Sequence, residues 1–198
     1  MADLLFLRRT GLAQSIMDMA GRGTPVIGIC GGYQMLGKEI NDPQHVEDGV
    51  DWMAGLGLLP ISTWFEPTKT TRQVRGRVIQ DCGLFDGCLG VPVTGYEIHM
   101  GTTVVDGAQQ VLEVGSLEGA THLDGAVDGK GLIFGTYLHG IFDSAEFRRA
   151  LLTQLGRRKG QALQFGEPLA SREQQYDKLA DLVRSNIDVG FLRSICSF

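Results

Sequence analysis

Cys30 is the side chain best placed to do chemistry. It stands in Gly28-Ile29-Cys30-Gly31-Gly32, a G-x-C-x-G run between the short apolar segment 25–29 and residues 33–40, which read as a helix. A strand that turns at once into a helix holds its corner residue in a strained conformation with the side chain exposed. That is a nucleophile elbow with cysteine in place of serine. Small residues two positions either side let the chain turn so tightly, which suits glycine at 28 and 32. The free N–H groups and positive end of the following helix favour thiolate, so the Cys30 pKa is expected to fall. The Gly31 N–H is placed to stabilise an oxyanion. The run alone also fits a glycine-rich turn around a small core cysteine; the flanking strand and helix favour the catalytic reading.

Residues 32–38 also match the first seven positions of a phosphate-binding P-loop. The eighth is Glu39, where magnesium binding needs Ser or Thr, and positions 33–36 look helical. Nucleotide binding is rejected at this spot.

A cysteine nucleophile needs a base. His45 and His122 lie in polar, turn-like stretches and read as surface residues. His139 follows the buried run 132–137, at the strand end where α/β folds place their sites. His99, within Gly95-Tyr96-Glu97-Ile98-His99-Met100-Gly101, is the second candidate. On an alternating strand Glu97 and His99 share a face, and a carboxylate beside an imidazole suggests a pocket wall.

These residues need elements to hold them. The spacing predicts helices over 3–9 and 12–20, the first capped by Asp3 and the second ended by Gly21-Arg22-Gly23. Residues 25–29 read as a buried parallel strand, 41–52 as a polar loop and 56–65 as extended chain. Residues 72–80 and 92–105 alternate as antiparallel strands, 111–114 is a short strand, 124–131 a Gly/Asp-rich turn and 132–137 a second buried strand. A helix over 144–155 opens with Ser144 as cap, and 171–193 is amphipathic, interrupted near 186–188. The order argues one α/β domain over 1–198, with a mixed sheet flanked by helices.

Composition agrees with a soluble globular domain, 43% apolar and 21% charged. A net charge of −5 gives no reason to expect nucleic acid or an anionic membrane as partner. No apolar run approaches the roughly 18 residues of a membrane span, and no basic, then apolar, leader opens the chain. A cytoplasmic protein is expected. Cys30, Cys82, Cys88 and Cys196 form no C-x-x-C pair and no Cys/His cluster, so reduced thiols and no metal site are expected.

The run Gly28–Gly37 is similar to the nucleophile motif of class I glutamine amidotransferases. Residues 95–101 and 135–142 resemble two further motifs of the cobyric acid synthase branch, and 172–181 resembles its C-terminal helix. The likeness runs over essentially the whole chain. The middle motif separates this branch from the lipid II amidating subunit and from cobyrinate a,c-diamide synthase.

The resemblance implies a flavodoxin-like mixed sheet. It implies that Cys30 attacks the side-chain amide of glutamine, that His139 activates Cys30 and protonates the leaving ammonia, and that Gly31 supplies an oxyanion N–H. Gly32, Gln34, Glu97 and His99 would lie against the bound glutamine. The ammonia would amidate a corrinoid, adenosylcobyrinic acid a,c-diamide, in cobalamin biosynthesis. A separate synthetase domain would use ATP and Mg²⁺ for that step, and no cofactor is expected in this chain.

Two departures matter. Where many class I members place a glutamate two residues after the histidine, this chain has Ile141, so a Cys–His dyad is expected, with Glu97 as a substitute for orienting an imidazole. The family also places a synthetase domain, sheet strands and a Pro-Gly loop ahead of residues resembling Met1–Leu4. The N-terminal strands and half of the oxyanion hole are therefore expected to be missing. An exposed sheet edge or apolar face and weak or absent activity alone would follow. Rival readings are another cysteine hydrolase such as a peptidase or γ-glutamyl hydrolase, an amidotransferase-like subunit of another ligase such as that of lipid II amidation, and a non-catalytic module that docks a synthetase.

Overall fold

The computed structural model describes residues 1–47, 49–116, 119–165 and 172–196. They fall into two compact units, 1–163 and 164–198. The first opens with helices α1 (Ala2–Arg9) and α2 (Leu12–Gly21), then strand β1 (Val26–Ile29) and helix α3 (Gly31–Leu36). Strands β2 (Glu39–Asn41), β3 (Trp52–Ala54), β4 (Ile61–Val78), β5 (Pro92–Val105) and β6 (Gln109–Gly115) follow. Strands β7 (Thr121–Val127), β8 (Ile133–Thr136) and β9 (Leu138–His139) lead to helix α4 (Ala145–Arg158). The second unit holds α5 (Arg172–Asn186) and α6 (Val189–Cys196), so the expected break near 186–188 falls between two helices.

The described strands form one mixed sheet in the order β1-β8-β7-β6-β4-β2-β3, with β5 on β4 and β9 on β5. β1 runs parallel to β8, and β7 antiparallel to it. β4 and β5 make a long antiparallel ribbon with a shift of register between Trp64 and Lys69. Alternation along β7 and β8 divides the core between the two faces. Val127 and Phe134 join a cluster with Leu84, Phe85, Phe147 and Leu151 under α4. Ala126 and Ile133 join Leu4, Ala13, Tyr33 and Leu36 of α1, α2 and α3.

Several expectations need correction. The helix after Cys30 stops at Leu36, because Gly37 is extended and the position a Cβ would take there lies 2.8 Å from the Ile61 carbonyl. Residues 39–41 are instead a strand. The stretch from Asp124, expected to be a turn, belongs to β7 as far as Val127. Asp3 lies in the first turn of α1 while Met1 is the cap. Ser144 caps α4 by position, yet its hydroxyl accepts the Thr94 N–H at 3.0 Å rather than a helix N–H. β1 is half-buried rather than buried at three of its four residues. It ends the strand order, and no described strand pairs with its other edge. Among the described residues no helix is long and apolar enough to cross a membrane.

Candidate active site

Cys30 sits at the corner between β1 and α3 with φ 54° and ψ −116°. L-residues rarely hold a positive φ, and where they do the surrounding structure must enforce it. Here the Cys30 N–H is fixed to the Thr136 carbonyl at 2.9 Å, and the Cys30 carbonyl accepts the Gln34 N–H. The corner closes because Gly28 lacks a side chain: a Cβ there would lie 2.6 Å from the backbone of Gly32. Gly32 itself needs no such exemption, since a Cβ on it would meet nothing within 4 Å. The demand for a small residue thus falls on position 28, and position 32 contributes open space.

Cys30 and His139 come together on one main-chain atom. The Cys30 thiol donates to the Ile98 carbonyl at 3.3 Å, and His139 Nε2–H donates to the same oxygen at 3.3 Å. Sulfur and ring nitrogen therefore lie no farther apart than twice that distance. His139 is placed by β9, where it pairs with Tyr96 of β5. The strands approach that closely because residue 95 is glycine: a Cβ there would lie 2.1 Å from the His139 carbonyl.

The Cys30 pKa departs from expectation. Burial pushes the thiol up, and the Gly31 N–H aimed at it pulls it down. Glu47 adds to the rise and Lys69 opposes it, with the net direction upward. Helix α3 has only six residues, so its dipole is short. The desolvation of a half-buried sulfur outweighs the hydrogen bond from the Gly31 N–H.

Glu97 and His99 share a face of β5, as the alternation requires. Glu97 is buried and accepts from Arg72 Nε at 2.7 Å and His99 Nε2 at 3.1 Å, and its Oε2 lies 3.1 Å from His122 Nε2, which Arg72 Nη2 also approaches at 3.0 Å. Burial alone would raise its pKa; the hydrogen bonds from His99 and Arg72 and the neighbouring charges overcome this and hold it at about 2. His99 donates its other ring N–H to the Gly101 carbonyl at 2.9 Å. Both acceptors lack protons, so the charged ring is favoured, in keeping with a pKa that burial would lower but Glu97 and Gly101 drive up. It stacks on Tyr137, with ring centres 4.1 Å apart. Gln34 is buried, and its amide donates to the Tyr137 hydroxyl at 3.2 Å.

Tyr33, Glu97, His99, Thr103, Asp124 and Tyr137 are among the walls of a cavity of about 170 Å³; Cys30 and His139 are not. Glu97 thus orients His99 and His122 rather than His139. His122 was expected on the surface, but it lies on β7 and turns toward Glu97. Arg72 and Asp124 were not foreseen. His45 is exposed and pairs with Asp51 at 2.6 Å. Lys38, the would-be P-loop lysine, pairs with Asp106 at 3.2 Å. Cys30, Cys82 and Cys88 are free thiols.

Comparison with known proteins fits this geometry. Residues 1–147 match the family described as the CobB/CobQ-like glutamine amidotransferase domain. The chain is 45% identical over 193 residues to a cobyric acid synthase of Dehalococcoides mccartyi, covering 94% of this chain and 37% of that protein. It is 47% identical over 198 residues to one from Moorella thermoacetica, covering 98% of this chain and 38% of that protein. The chain thus spans under two fifths of the length of these relatives. Among solved structures, PurLQS from Thermotoga maritima superposes with a TM-score of 0.53 at 20% identity, over 73% of this chain and 68% of that one, a likeness of fold. Because the family match takes in both β1 with its cysteine and β9 with its histidine, the chain belongs to the CobB/CobQ-like glutamine amidotransferase family.

Proposed function

We propose that this chain releases ammonia from glutamine, with Cys30 as nucleophile and His139 as its base. The observation that carries the reading is the convergence of the Cys30 thiol and His139 Nε2 on the Ile98 carbonyl, with Cys30 held at positive φ. To accept the thiol proton, His139 Nε2 gives up its hydrogen bond to the Ile98 carbonyl and the ring takes the tautomer with its proton on Nδ1. The thiolate attacks the side-chain amide carbon of glutamine, and the Gly31 N–H faces the developing oxyanion. The C–N bond breaks as the imidazolium protonates the departing amine to ammonia. Water, giving a proton to His139, then hydrolyses the thioester to glutamate and restores the thiol. Gly32 admits the substrate through the open space above it. Gln34, Glu97 and His99 hold β5 and Tyr137 as the wall behind.

The relatives' names extend the reading to cobalamin biosynthesis. There the ammonia amidates carboxylates of a corrinoid, adenosylcobyrinic acid a,c-diamide, on a separate synthetase domain that uses ATP and Mg²⁺. This chain carries no cofactor of its own in that scheme and works in the cytoplasm. The upward push on the thiol supports weak turnover by the chain alone.

The test is labelling with 6-diazo-5-oxonorleucine, a glutamine analogue that loses N₂ as its carbon bonds to sulfur. Intact mass should show one adduct at Cys30, none in Cys30→Ser and slower formation in His139→Asn. A Cys30 that reacts with iodoacetamide but never with the analogue would overturn the reading in favour of a docking module.

A further inference from the structure

We propose that Thr136, braced by the buried carboxylate of Asp124, is the positioning residue that sets Cys30 and His139 against each other; the inference rests on the glutaminase reading above and deepens it. The nucleophile leaves β1 and the base rides on β9, and no single element carries both. Thr136 touches the backbone of each. Its carbonyl accepts the Cys30 N–H at 2.9 Å. Its hydroxyl accepts the N–H of Leu138, the residue before His139, at 3.0 Å.

The hydroxyl has one proton to give, and it goes to Asp124 Oδ2. That donation fixes the rotor, so the lone pair facing the Leu138 N–H is set. Asp124 Oδ1 accepts the Tyr137 N–H at 3.2 Å. The three residues 136–138 are thereby held in the break that ends β8 and lets β9 cross to β5. Thr136 has no exposed surface and Asp124 only 7%, so water offers no substitute partner. Neither side chain contacts the reacting atoms; both act through main-chain placement of the two that do.

The experiment is a double-mutant cycle on the full chain. Thr136→Val keeps volume and carbonyl but loses the hydroxyl, and Thr136→Ser keeps the hydroxyl. Each is made with His139 intact and with His139→Asn, and Cys30 labelling by the diazo analogue and by iodoacetamide is timed by intact mass. Thr136→Val should slow analogue labelling about tenfold, and Thr136→Ser should restore it to within about threefold. With His139→Asn in place, the valine change should add less than about twofold. A slowing below about twofold with His139 intact, or an equal slowing in both backgrounds, would overturn the proposal. Should Thr136→Val not fold, Asp124→Asn is read in the same cycle against the same limits. If wild-type Cys30 takes iodoacetamide but not the analogue, the glutamine reading fails by itself, and the cycle is then decided on iodoacetamide rates.

Discussion

Replacing Glu97 with glutamine keeps the shape and removes the charge on which three cationic or protonatable side chains converge. The carboxylate is buried and held at about 2 against an ordinary value of 4.5. At about 1.4 kcal/mol per pKa unit, that depression is worth about 3 kcal/mol of stability. The sign follows from the direction. A depressed carboxylate stabilises the fold fully above its unfolded pKa, and the contribution is lost as pH falls from about 4.5 toward 2. In the variant, the new amide also turns an N–H toward a donor nitrogen. At pH 7, Glu97→Gln should therefore melt roughly 6–12 °C below wild type for a domain of this size. In acid the gap should close, because wild type surrenders the same charge. His99 supplies the opposite limb. Its pKa is raised, so its share is present below its ordinary value of about 6.5 and fades as pH climbs through the folded pKa. The two limbs report largely one interaction and do not add. Thermal melts monitored by circular dichroism from pH 3 to 8 provide the check. A variant melting within about 2 °C of wild type at pH 7, or a gap of constant size down to pH 3, would refute the reasoning.

Two further outcomes are expected. Lys69→Ala removes a cation that favours the Cys30 thiolate, and Glu47→Gln removes an anion that opposes it. The pH midpoint of Cys30 alkylation should move up in the first and down in the second, and shifts of the same sign would contradict the assignment. Gly135→Ala would place a Cβ 2.0 Å from the Tyr33 ring, so the urea midpoint should fall by the equivalent of about 1–3 kcal/mol, with slower Cys30 labelling because Tyr33 sits on α3.

The corner at Cys30 could be read from its glycines because a tight turn leaves a local signature. His139 was legible for a similar reason: it ends a short apolar run. β7 was not. Along Thr121-His122-Leu123-Asp124 the polar His122 and Asp124 face inward while Leu123 is exposed, which inverts the usual alternation and hides the strand. Arg72 escaped because its tie to Glu97 exists only through the register of β4 on β5. The thiol's pKa was misjudged because a motif shows the helix that follows it, not how much protein covers the sulfur or how soon the helix ends.

The meeting of thiol and imidazole on the Ile98 carbonyl bears on how this site could vary. The acceptor belongs to the main chain, so every amino acid supplies it equally, and alanine scanning at position 98 would pass over it. What is constrained is the position of β5 along its neighbours. A slip by one residue would present a different carbonyl to Cys30 and His139 and turn Glu97 and His99 to the opposite face of the sheet. Insertions and deletions in the loops that set the β5 register should therefore be tolerated less well than side-chain changes at Ile98. An amide-to-ester replacement that weakens this one carbonyl would expose the dependence directly.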